Sequence, residues 1–337
     1  MTPPIQRSQL QRIQTPAFWG IVTFVLLALA YLRLALNFNA PYLDECDYIF
    51  VGRALLSGEP WITKTYMFSS DMHLYIYGLA DRIFSGELSY LAARACAVLM
   101  GCASLWFFYG FVRHLYGKHV DSRRIAELST LLLALTVPHV FISQFATYDV
   151  VCFMFFTASL WMLAASVLNP DDTAPQQQTL KQQALRQQTL MMCAGAVLFA
   201  LAVLAKYVVI AYAPLLFLAL LMRNRRAALL FILIVSAMLG GYVFFYRAEL
   251  LQLYQNQILG THQANATVWK IIATALEYCG FTALLAGGLF LFKKEKALSV
   301  SLYGALALFA VPLVAYHLRS QDVISLYKHI IYTCCFL

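Results

Sequence analysis

Apolar runs near 20 residues long recur along this chain, and they leave few folds open to it. A bilayer core takes about 20 helical residues to cross. Lipid offers no partner to a backbone N–H or C=O, so such runs are expected to be helices. Spans are expected at about 17–37, 88–116, 125–145, 149–168, 189–205, 207–222, 227–247, 268–292 and 297–317. The segment from Ser325 onward, SLYKHIIYTCCFL, has the composition of a tenth span that has just begun. Only 12% of residues are charged, where soluble chains hold about 25%. The expectation is therefore an all-α polytopic membrane protein, a bundle of about nine spans and a partial tenth. Residues 1–16 would form a cytoplasmic tail and 17–337 one transmembrane domain. The first apolar run is too long for a signal-peptide core and lacks a small-residue cleavage site, so it is expected to be retained.

The net charge of +8 needs no acidic partner, because topology accounts for it. With the N-terminus in the cytoplasm, the inside loops hold thirteen of the 24 Lys and Arg: Arg7, Arg12, Lys118, Arg123, Arg124, Lys181, Arg186, Arg223, Arg225, Arg226, Lys293, Lys294 and Lys296. The first outside loop, 38–87, holds seven of the 16 acids: Asp44, Glu45, Asp47, Glu59, Asp71, Asp81 and Glu87. Five inside loops agree with the positive-inside rule. Within the outside loop, Cys46–Leu56 and Met72–Phe84 carry the spacing of short surface helices, ended by breaks at Gly58–Pro60 and Ser85–Gly86. Asn169–Thr189, rich in Gln, is expected to be a polar linker. Seven of the eight cysteines lie in apolar segments without metal or CxxC spacing, as small buried hydrophobes do. No P-loop, GxSxG, HExxH or dinucleotide fingerprint occurs, so nothing supports a cytosolic nucleotide-dependent mechanism.

Four places gather polar groups on the outside face, and each is open to two readings. Asp44 and Glu45, with Asp47 behind them, suit proton abstraction or a divalent cation. They equally suit the positive end of a helix dipole. Asp149 in FATYDVVCFMFF is either a site acid or the start of a helix. Lys206, between two apolar runs, needs an interface to snorkel to or a counter-charge such as Asp149 or a phosphate. The group His317, Arg319, Asp322, Tyr327, Lys328 and His329 suits an anionic head group, or is an ordinary charged loop.

The order and sidedness of these elements resemble the GT-C superfamily of integral-membrane glycosyltransferases. The likeness rests on the outside Asp-Glu pair after a first span, then SYLAARACAVLMG, TYDVVCFMFF, LAKYVV and SLYKHIIYTCCF. Its nearest branch is that of the protein O-mannosyltransferases and the aminoarabinose transferases of lipid A. The resemblance implies transfer of a sugar from a polyprenyl-phosphate donor to a lipid, glycan or protein acceptor on the extracytoplasmic face, in a bacterial plasma membrane. It implies Asp44, Glu45 and Asp149 as catalytic acids, with Asp44 and Asp149 the ligands of any Mg²⁺ or Mn²⁺. Lys64, Lys206, Arg319 and Lys328 would hold the donor phosphate, and Arg94 would be structural. The family's Pro-rich first-loop element is replaced here by SSDMHLYIYG, and its members usually continue for several more spans. Two alternatives stand beside it: a transporter or flippase built on an Asp149–Lys206 charge pair, and a catalytically silent relative.

Overall fold

The computed structural model describes residues 27–28, 30–34, 43–59, 70–84, 89–117, 121–168, 178–255, 266–292 and 296–336. Among them every regular element is a helix. Within the span expected at 17–37, residues 27–28 and 30–34 are helical, and the remainder of that segment lies outside the described residues.

The first loop, expected at 38–87, contains two short helices, as expected: α1 (Leu43–Ser57) and α2 (Met72–Ile83). Helix α1 ends at Gly58, whose φ of 70° falls in the left-handed region. There the N–H of Gly58 donates to Leu55 C=O and that of Glu59 to Ala54 C=O, which satisfies the last carbonyls of the helix. The two helices cross at Gly52 and Gly78. A Cβ on Gly52 would lie 2.1 Å from the Leu74 oxygen, and one on Gly78 2.3 Å from the Gly52 carbonyl carbon. Only glycine permits that approach.

The central helices are α3 (Ser89–Leu115), α6 (Tyr148–Leu168) and α7 (Gln178–Ala205), with α6 packed most extensively on α7 and α3. Helix α9 (Arg225–Phe245) packs on α7, and Leu229, Leu233, Phe244 and Phe245 of α9 are exposed, as a lipid-facing surface requires. These four are long and apolar enough to cross a membrane among the described residues. Helices α11 (Val268–Phe292) and α12 (Lys296–Ser320) have 25 residues each, enough length to span.

Three expectations need correction. The span at 125–145 is broken into α4 (Ser122–Leu135) and α5 (Val137–Gln144), bent by 65°. Pro138 is the cause. It has no N–H to give Ala134 C=O, the acceptor four residues back. The phenol of Tyr31 donates to that carbonyl instead, at 2.5 Å, and also meets Nδ1 of His139 at 2.9 Å. The segment 207–222 is a 3₁₀ turn (Tyr207–Tyr212) followed by α8 (Ala213–Arg223), because Lys206 is extended and ends α7. The polar linker is shorter than expected, since α7 begins at Gln178. Beyond α9, α10 (Arg247–Leu253) leads toward α11. The final element, α13 (Val323–Cys334), has 12 residues and buries Leu326, Ile330, Ile331 and Tyr332 against the bundle.

Candidate functional site: two aspartate–lysine pairs beside the first-loop helices

The corner between α5 and α6 is held from both first-loop helices, α1 and α2. Glu45 of α1 accepts the N–H of Ala146 at 2.8 Å, and Tyr77 of α2 donates to the Thr147 carbonyl at 2.8 Å. Glu45 also takes the Arg94 guanidinium of α3, with Nε to Oε1 at 3.0 Å and Nη2 to Oε2 at 2.8 Å. Both side chains are essentially inaccessible, 0% and 1% exposed. The Arg94 plane also lies over the rings of Tyr90 and Phe145, at 5.3 and 5.5 Å. A fork-shaped pair this dry is bidentate and directional, and it fixes α1 against α3 and the corner.

That corner starts α6 with Asp149 in its first turn. Asp149 pairs with Lys206, whose extended backbone lets the side chain leave the end of α7. The pair is buried, with side chains 6% exposed for Lys206 and 2% for Asp149. The Lys206 ammonium also sits 4.8 Å from the Tyr148 ring centre.

Asp44, next to Glu45 in α1, faces another way. Its Oδ2 accepts from the Lys328 ammonium of α13 at 2.7 Å, across 284 residues of chain. This pair is only partly buried: Lys328 is 18% exposed and Asp44 30%. The charge of Asp149 also acts on Lys328, and the two lysines act on one another, so the four groups form one cluster. Lys328 is aimed by its helix, whose N-terminus is capped by Asp322 through the Ser325 N–H at 3.2 Å.

An aromatic wall adjoins the cluster, and sequence reasoning did not single it out. Tyr48 of α1 meets His73 of α2 edge-on at 4.9 Å and Tyr148 at 5.6 Å, while His73 meets Tyr148 at 5.4 Å. Burial pushes the His73 imidazole down to about 3, against a smaller opposing pull from Asp149. The signal available was Tyr148 beside Asp149 in the sequence; no local pattern pointed to His73.

The other expected residues are placed as follows. Arg94, expected to be structural, is buried and paired with Glu45. Glu45, expected beside Asp44 as a catalytic acid, is turned into the protein by the helical rotation of about 100° per residue, and its carboxylate is engaged by Arg94 and Ala146. Arg319 is exposed near the end of α12 and forms no ion pair among the described residues. Lys64 lies outside the described residues. Asp44 and Asp149 each face a lysine ammonium, and no cluster of three or more His, Cys, Asp or Glu suited to a metal occurs among the described residues. That donor set does not fit a resident divalent cation.

The fold has solved counterparts. ArnT from Cupriavidus metallidurans, solved bound to undecaprenyl phosphate, is similar with a TM-score of 0.66 at 14% identity, covering 95% of this chain and 59% of ArnT. An oligosaccharyltransferase from Archaeoglobus fulgidus, tethered to an acceptor peptide containing the NVT sequon, is similar with a TM-score of 0.52 at 14% identity, covering 95% of this chain and 49% of that protein. The chain thus spans between half and three-fifths of the length of these structures, both of which have the GT-C fold. No curated protein matches the sequence. Residues 18–238, about two-thirds of the chain, match one family model, and by that match the chain belongs to the dolichyl-phosphate-mannose-protein mannosyltransferase family.

Proposed function

We propose that this protein is a glycosyltransferase that moves a sugar from a polyprenyl-phosphate donor to a hydroxyl or amide acceptor at the extracytoplasmic rim of a multi-pass membrane domain. The observation that carries the proposal is the contrast between the two pairs. Asp149 and Lys206 are buried and held in place, whereas Asp44 and Lys328 are partly exposed. ArnT bound to undecaprenyl phosphate and the family description support a lipid-linked donor. The basic inside loops support an outward-facing rim, and a donor anchored by its lipid explains why the site adjoins the membrane.

In this mechanism the donor phosphate takes the Lys328 ammonium away from Asp44, with Lys206 adding positive charge from below. Arg319, exposed near the end of α12, would add a further positive charge for the phosphate, and Lys64 keeps the donor-phosphate role that the family resemblance implies. The acceptor attacks the anomeric carbon and passes its proton to the freed Asp44 carboxylate. The bond from the anomeric carbon to the phosphate oxygen breaks, and the polyprenyl phosphate leaves with its added negative charge facing the lysines. Asp149 keeps Lys206 charged and in place, and Glu45 acts as a positioning residue through Arg94 and Ala146. A transporter built on Asp149 and Lys206 would leave the partly exposed Asp44–Lys328 pair without a task.

The test is sugar transfer in membranes containing the wild type, Asp44→Asn or Lys328→Gln, each supplied with radiolabelled polyprenyl-phosphate sugars. Expected is loss of transfer in both variants at unchanged protein level. Wild-type transfer with an undiminished rate in Asp44→Asn would remove that carboxylate from the chemistry.

A further inference from the structure

His317 and His329 have no part in the mechanism above, yet both are buried and they meet. His317 is in the last turn of α12, and its Nε2 lies 2.8 Å from Nδ1 of His329 in α13. The other nitrogen of His317, Nδ1, lies 2.9 Å from the backbone carbonyl of Asp322. A carbonyl only accepts, so Nδ1 of His317 carries a hydrogen. In a neutral ring its Nε2 is then an acceptor, and Nδ1 of His329 must be the donor. One tautomer assignment satisfies both contacts without burying a charge.

These bonds span the joint between the two helices. Gln321 closes α12 with a φ of 53°, its N–H donating to His317 C=O at 2.8 Å, and Asp322 then caps α13. His317 therefore grips α13 at its cap and again seven residues later at His329, about two turns along. Two grips on one side of a helix oppose both sliding and rotation. A rotation by one residue position would swing Lys328, the neighbour of His329, through about 100° and away from Asp44. The charges of Lys206 and Lys328 both act on His329, which puts it beside the cluster it would organise.

We infer that the His317–His329 pair is the positioning device for Lys328: it sets the rotation of α13 and so aims the ammonium at Asp44. Its consequence for the donor phosphate rests on the role given to Lys328 above.

Two substitutions separate this from general packing. In His329→Asn the side-chain nitrogen falls near the position of Nδ1 and still donates to His317. In His329→Gln it falls near Nε2, and the bond is lost, though polarity is kept. The purified full chain, in phosphatidylethanolamine–phosphatidylglycerol nanodiscs, is treated with a water-soluble carbodiimide. The reagent activates the Asp44 carboxylate, the Lys328 amine displaces it as a urea, and the resulting amide link is counted by peptide mass spectrometry. Binding of undecaprenyl phosphate is measured on the same samples. Expected are a near wild-type link and affinity in His329→Asn. In His329→Gln the link should fall and binding weaken roughly five- to tenfold, the worth of about one hydrogen bond, with no further weakening when Lys328→Gln is added. A full yield of the link in His329→Gln overturns the inference, as does an equal loss in Asn and Gln. A link that falls in His329→Gln while undecaprenyl phosphate binds equally to wild type and Lys328→Gln upholds the positioning role and refutes the phosphate role instead.

Discussion

Replacing Glu45 by Gln asks whether this acid performs chemistry or holds the frame. The substitution keeps the shape of the side chain and an acceptor for Ala146, but it removes the charge facing Arg94. Arg94 is then left at 0% exposure without its carboxylate. Stranding one member of a buried pair costs about 3–5 kcal/mol. With 337 residues at about 2.1 cal/mol/K each, one degree is worth roughly 0.7 kcal/mol, so Tm should fall by roughly 4–7 °C. Removing the Arg94 charge as well, as Glu45→Gln with Arg94→Met, should return a large part of that loss, with a coupling free energy of about 2 kcal/mol. The assay is thermal unfolding in detergent for the wild type, both single variants and the double variant, with sugar transfer measured on each. Transfer should track Tm across the four proteins. A Glu45→Gln protein with wild-type Tm and no transfer would refute the structural role and return Glu45 to the chemistry.

The crossing of α1 and α2 leaves no room at Gly52, so Gly52→Ala should lower Tm and transfer together, while Gly240→Ala, whose Cβ would meet open space, should leave both intact. Lys206→Met strands Asp149 and should destabilise by about 3–5 kcal/mol; adding Asp149→Asn should restore unfolding stability but not transfer. His73 is held neutral with its imidazole near 3, against about 6.5 when unfolded. The unfolded chain therefore binds the extra proton, and stability present above 6.5 is lost as pH falls toward 3, by about 2 kcal/mol at pH 5. The drop in Tm between pH 7 and 5 should be smaller in His73→Phe than in the wild type; an equal drop would show that His73 is not its source.

What the sequence determined by itself is what lipid and local backbone chemistry select one segment at a time. Each span must be apolar over its own length, so α3, α6 and α9 were legible within a few residues, and α7 at its end but not at its start, which lies in the Gln-rich segment. The two first-loop helices were legible from spacing, and the stop of α1 from Gly58. Lys206, isolated between apolar runs, called for a counter-charge, and Asp149 was its candidate. The bend at Pro138 had a local cause too, but the phenol that compensates it comes from Tyr31, about a hundred residues away.

Which polar groups meet was settled by packing in three dimensions. Asp44 and Glu45 are adjacent and chemically alike, yet one step of helical rotation sends Glu45 into a dry grip with Arg94 and Asp44 out to Lys328. The sequence left Lys328 open between a head-group site and an ordinary charged loop, because its partner is 284 residues away and no local pattern records that distance. Pairing between helices depends on how each is rotated and where it is broken. Those quantities are set by close contacts such as Gly52 with Gly78 and His317 with His329, after the spans have already been chosen by their hydrophobicity.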